Sequence, residues 1–326
     1  MQAKILGSVV PQVSLEIQPS SRKVRKQSGV IAPVAPPPII GRLLIDMRHA
    51  TWMAIESSSI ASRLYRSYRK LPDFVRAPAR WLVMPRWHIV TTMVRVAARG
   101  AVVSGPFQGM RMDLSPVSSR HLLGYILGTQ ELELHGVVER IVTRDYKTIV
   151  NVGAADGYYA VGLARRLPKA RIVGFEGLAE LHPVLRHSAE LNGVADRFTI
   201  NGFCEPPDLK RALGASEGRT LLISDIEGGE IDLLDPARAR ELDITDILVE
   251  THDAFVPGCT ETLIDRFSAT HNIERITARP RTLKDFPKNI LPWLPRRMPD
   301  LAVELMNERR TGLQQWLYME AKRQGR

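Results

Sequence analysis

Residues 148–167, TIVNVGAADGYYAVGLARRL, pass from a mostly apolar run through two glycines four residues apart into helical spacing. The run at 148–152 suits a strand buried on both faces, and 158–167 repeats apolar residues at three- and four-residue intervals. Gly153 and Gly157 therefore fall on the turn between a strand and a helix. In an open α/β sheet that corner lies where ligands bind, because glycine lets backbone approach a ligand and the helix start offers unpaired N–H groups. A dinucleotide fingerprint beginning at Gly153 would need glycine at 155 and 158, which are Ala155 and Tyr158. No G-K-[ST] follows, so a Walker-type phosphate loop is excluded.

Outward from this corner the chain alternates. RIVGFE, FTING, TLLISDIE, DILVETH and IERITA read as further strands, separated by periodic helical segments such as LHPVLRHSAELNG and ETLIDRFSATH. LQQWLYMEA adds one more strand near the end. This order predicts an α/β protein with a Rossmann-like, doubly wound, mostly parallel sheet. Upstream, 101–116 reads as a β-hairpin and ELELHGVVERIV as a helix.

Charge divides the chain. Residues 1–100 carry 16 Lys or Arg against 4 Asp or Glu, and residues 101–326 carry 29 against 31. The expected organisation is a disordered basic tail over 1–40, a basic amphipathic helical arm over 41–100 holding Trp52, Trp81 and Trp87, and one domain over 101–326. Such an arm suits nucleic acid or an anionic membrane surface, or helices that dock their aromatics on the main domain. No apolar run reaches the length of a membrane span, and no signal-peptide pattern opens the chain. Cys204 and Cys259 are too few for a disulfide framework. A cytoplasmic protein is the expectation.

At the glycine corner the sequence resembles the class I S-adenosylmethionine-dependent methyltransferases, whose first motif is acid-x-G-x-G-x-G. The matching residues are Asn151, Val152, Gly153, Ala154, Ala155, Asp156 and Gly157. Asn151 stands where the family has an acid, and Ala155 where it has the middle glycine. The resemblance implies that fold, with S-adenosylmethionine as cofactor. Glu176, about 20 residues past the turn, has the acceptor capacity to hold both ribose hydroxyls of an adenosine. Phe203 and Cys204 close the third strand where the family brackets adenine. LLISDIEGGEIDLLD resembles the K-I-D-V-E-G-x-E block of FkbM-type methyltransferases, which implies transfer to oxygen of a small molecule or glycan.

Methyl transfer requires an acceptor atom aligned with the sulfonium methyl and, for a hydroxyl, removal of its proton. Asp225, Glu227, Glu250, His252 and Asp253 gather at the fourth and fifth strand ends. His252 is the candidate general base, with Asp225 as positioning partner and Glu227 as a third catalytic candidate or a helix cap. Alternatively, carboxylates with one imidazole suit Mg2+ or Mn2+. Alternation along a strand puts Glu250 and His252 on one face and Thr251 and Asp253 on the other. Glu131, Glu133 and His135 resemble a G-T-x-E-x-E-L-H run of similar methyltransferases, and Arg309 and Arg310 could meet an anionic substrate. The competing reading is a nucleic-acid-binding protein whose domain senses S-adenosylmethionine.

Overall fold

The computed structural model describes residues 85–113, 122–216, 218–308 and 314–322. The chain divides into units Met1–Ser62 and Arg63–Arg326, and every described residue belongs to the second. The expected tail, most of the arm with Trp52 and Trp81, and Arg309 and Arg310 lie outside the described residues.

Seven strands form one sheet in the order β3-β2-β1-β4-β5-β7-β6. They are β1 (Tyr146–Val152), β2 (Arg171–Phe175), β3 (Phe198–Asn201), β4 (Arg219–Ser224), β5 (Asp246–Thr251), β6 (His271–Thr277) and β7 (Gln315–Ala321). The first five run parallel, while β7 is antiparallel to both β5 and β6. β1 pairs in register with both β2 and β4, through Val150↔Val173 and Val150↔Leu222. The winding thus reverses beside β1, and such a reversal opens a crevice at the carboxyl ends of the strands.

Helices cover both faces because successive strand residues point opposite ways. Ile149, Leu221 and Leu248 pack with Leu163 and Leu185 on one side, from α4 (Tyr158–Arg166) and α5 (His182–Leu191). Val150, Leu222 and Val249 pack on the other with Leu209 and Leu263, from α6 (Pro206–Gly214) and α8 (Cys259–Phe267). A capping box between Glu205 and Asp208, with Pro206 and Pro207 behind it, starts α6 where it does.

The expected arm is represented by α1 (Pro85–Ala98). Trp87, Val90 and Val94 are buried against Leu123 and Leu127 of α2 (Leu122–Leu127), with Leu294 of α9 (Leu294–Arg297) and Leu305 of α10 (Pro299–Leu305) in the same cluster. The expected hairpin is reduced to a single antiparallel bridge, Ala101↔Arg111, and residues 114–121 lie outside the described set. Gly105 and Gly109 take positive φ and bend the segment into a loop, which sinks Phe107 beneath Gly162. A short turn at Leu132–Leu134 precedes α3 (His135–Val142), so the single expected helix is broken there.

At the foot of the sheet, the buried Asp246 carboxylate accepts Tyr146 Oη–H at 2.7 Å, Arg219 Nε–H at 2.6 Å and the Ala321 N–H at 2.9 Å. Four strands meet in that one group.

Candidate functional site

Gly153 leaves β1 with φ of 77°. A Cβ there would lie 1.9 Å from the Asp225 carbonyl oxygen, so no other residue fits this turn without moving β4's end. Gly153 and Ala154 both donate their N–H to Phe175 O, and Asp225 N–H reaches Val152 O at 3.1 Å. Ala155 is left-handed at 45°, a conformation that favours glycine. Gly157 is likewise required, because its φ of 95° strains any L side chain.

Glu176 is buried at the end of β2. Its two carboxylate oxygens accept the Ala155 and Leu178 N–H groups, each at 2.8 Å. A carboxylate has about four lone-pair sites, so acceptor capacity remains for a ligand. Asn151 and Ala154 are buried beside it. Asp156 is also buried, which pushes its carboxyl up to about 6 against bonds from the Tyr158 and Asp156 N–H groups. It serves the start of α4. Phe203 is 77% exposed and its ring edge lies beside Gly177 at the mouth of this corner. Cys204 is buried, and burial pushes its thiol up to about 12, which makes it a packing group.

A solvent-open cleft runs from Glu131, Asn151 and Tyr159 to Ser224, Asp225 and Glu250. Beside it stands His252. Its Nδ1 lies 2.6 Å from Glu230 Oε1, while its Nε2 is 3.5 Å from Asp225 and 3.8 Å from both Glu227 and Glu250. Burial alone would push this imidazole down. The hydrogen bond and charge of Glu230, followed by the charges of Asp225 and Glu250, outweigh burial and raise it to about 9. Burial likewise opposes ionisation of Glu230, but His252 and the backbone donors lower it below the ordinary glutamate range. This environment favours the imidazolium, so a general-base role for His252 would draw on its neutral minority.

Glu230 closes the K-I-D-V-E-G-x-E match, but motif reading gave it no role. It opens α7 (Glu230–Leu233) and is fully buried, with Leu233 and Leu234 buried three and four residues on. That i, i+3, i+4 spacing carried the signal: it turns Glu230 inward, where an acid needs a partner. Glu230 also accepts the Gly228 N–H, tying the loop that bears Asp225 and Glu227 to the imidazole. Glu227 is exposed with φ of 56° and does not cap α7, whose capping position is Gly229. Asp253 faces away from the cleft and accepts from Thr260 of α8. Asp225, Glu227 and His252 each offer a ligand atom within 4.8 Å of the others.

Of the upstream trio, the structure brings only Glu131 to the cleft. It is buried and left-handed at φ 47°, and accepts the Tyr159 hydroxyl. Glu133 pairs instead with Arg281, whose guanidinium also meets Glu308. His135 is half-buried with its Nε2 enclosed and unpartnered, and burial lowers it.

No family model matches the chain. Over 109 residues it is 34% identical to a release factor glutamine methyltransferase of Chlorobaculum tepidum, covering 32% of this chain. The chain thus spans about a third of the length of that relative, 33%. Solved structures to which it is similar include the O-methyltransferase TomG of Streptomyces achromogenes in complex with S-adenosylmethionine, at 13% identity, 65% of this chain, 82% of that chain and a TM-score of 0.38. Another is the precorrin-6y C5,15-methyltransferase of Geobacter metallireducens, at 14% identity, 44% of this chain, 74% of that chain and a TM-score of 0.34. Among the described residues, no helix is long and apolar enough to cross a membrane.

Proposed function

We propose that this chain is an S-adenosylmethionine-dependent methyltransferase of FkbM type acting on oxygen of a small molecule or glycan. One observation carries the reading: a left-handed glycine turn at the winding reversal is flanked by a buried acid on β2's end, Glu176, and an exposed one past β4's end, Asp225. Glu176 would hold the ribose hydroxyls, with Phe203 against the adenine and Asn151 with Gly153 at the methionine end. Asn151 lacks the charge for an ammonium group, and Glu131 across the same cleft supplies it. Calorimetry tests this directly: S-adenosylmethionine should bind, and tighter binding of NAD would overturn the assignment.

The acceptor would lie against Asp225, Glu250 and His252. With the imidazole raised to about 9, a base mechanism requires its minor neutral form, so turnover climbs with pH until that value. A second reading rests on the donor set. Asp225, Glu227 and Nε2 of His252 suit Mg2+ or Mn2+, and Glu230 on Nδ1 is the outer partner that a ligating imidazole needs. A cation held there would lower the pKa of an acceptor hydroxyl. Chelation separates the two readings: EDTA abolishes turnover only if the cation is required.

A further inference from the structure

The outer face of α1 is apolar where most of the described surface is not. Ile89, Met93 and Val96 are 50%, 37% and 72% exposed, on the side opposite the buried Trp87, Val90 and Val94. At 100° per residue these three side chains share an arc of about 60°. The other exposed large apolar side chains among the described residues fall singly on loops and turns. Exposed Arg86 borders the stripe, exposed Arg95 lies about 100° further round the helix from Val96, and exposed Arg99 follows the helix end. No Asp or Glu occurs between Asp73 and Asp113, a stretch that holds six arginines. A partly exposed tryptophan, Trp293, precedes Leu294 of the cluster beneath α1 and is followed by exposed Arg296 and Arg297.

We propose that this face of α1 seats the protein on an anionic phospholipid surface. A helix that is apolar on both sides needs cover on both, and the described residues cover only one. Charge selects the occupant. A second copy of the chain would set arginine against arginine, and residues 41–84 are themselves net positive. Nucleic acid would satisfy the arginines and leave Ile89, Met93 and Val96 in water. An anionic bilayer meets both requirements, since acyl chains bury the stripe while head groups pair with the guanidinium groups. The inference does not depend on the reaction the cleft performs.

The test uses the full chain and sedimentation with vesicles of three parts phosphatidylcholine to one part phosphatidylglycerol at physiological salt. Wild type should sediment with these and much less with pure phosphatidylcholine. The variant Ile89→Ser/Met93→Ser/Val96→Ser, changed only at exposed positions, should keep its thermal unfolding profile and lose partitioning by roughly tenfold or more. A fluorophore attached at Val96→Cys, with Cys204 and Cys259 buried and unlabelled, should shift to the blue on vesicles. Wild type that fails to sediment refutes the inference. So does a serine variant that sediments like wild type, or a fluorophore that stays in water while the protein sediments; either would move the contact to another basic segment. Equal binding of a DNA duplex by wild type and serine variant, without vesicle binding, would assign the basic face to nucleic acid.

Discussion

Replacing Glu230 by glutamine tests the electrostatic core of the site while keeping side-chain size. Raising an imidazole from 6.5 to about 9 corresponds to about 3 kcal/mol of preference for the protonated form. Glu230 is the largest contributor to that rise, so Glu230→Gln should cost about 2 kcal/mol at pH 6, the amide retaining a neutral hydrogen bond. The pH dependence follows from the directions of the two shifts. His252 is raised, so its contribution is full below about 6.5 and is lost as pH climbs through about 9. Glu230 is lowered from 4.5, so its contribution holds above that value and disappears on acidification. The gap between wild type and Glu230→Gln should thus be widest near pH 6 and nearly closed by pH 10. Urea unfolding at several pH values measures the gap, and NMR of His252 in histidine-labelled protein follows the imidazole itself. Its midpoint should fall by more than one pH unit in the variant. A stability gap equal at pH 6 and pH 10, together with an unmoved His252 midpoint, would refute the coupling.

Three other outcomes are expected. Glu176→Ala should weaken S-adenosylmethionine binding by roughly 1–3 kcal/mol through lost charge-assisted hydrogen bonds, and unchanged calorimetric affinity would remove Glu176 from the site. Glu131→Gln should raise the Kd for S-adenosylmethionine more than that for 5′-methylthioadenosine, which lacks the ammonium; equal effects on both would contradict the assignment to the methionine end. His252→Ala should leave cofactor binding intact and lower turnover by roughly 10²–10⁴-fold, so near wild-type turnover would shift attention to Glu227 and Glu250.

The strands and main helices could be read from the sequence because their periods are little interrupted: 148–152 is apolar but for Thr148 and Asn151, and α4, α5 and α8 keep their three- and four-residue spacing. The glycine corner was legible for the same reason, with local spacing imposing a local turn. What failed to show was set by tertiary context. The 101–116 segment has alternating apolar residues, yet its positive-φ glycines and the pull of Phe107 into the core replace a hairpin with a loop. Glu133 falls in the same run as Glu131, but Arg281, 148 residues away, claims it, and no local pattern announces such a pairing. The surroundings of His252 could not be read from the sequence, because four carboxylates, three from the stretch 225–230 and one from β5, meet at one ring.

The two ends of the sheet carry opposite obligations. Above, polar side chains are left to a cleft; below, Asp246 spends its oxygens on Tyr146, Arg219 and the backbone of β7. A slip of one residue in a strand would turn every side chain to the wrong face, and this shared anion ties β1, β4, β5 and β7 against such a slip from the end remote from chemistry. The rim can therefore be rewritten for a new acceptor, at Asp225, Glu227 or Glu250, without disturbing strand alignment. A single change of Asp246 to alanine would instead loosen the alignment on which every rim position depends.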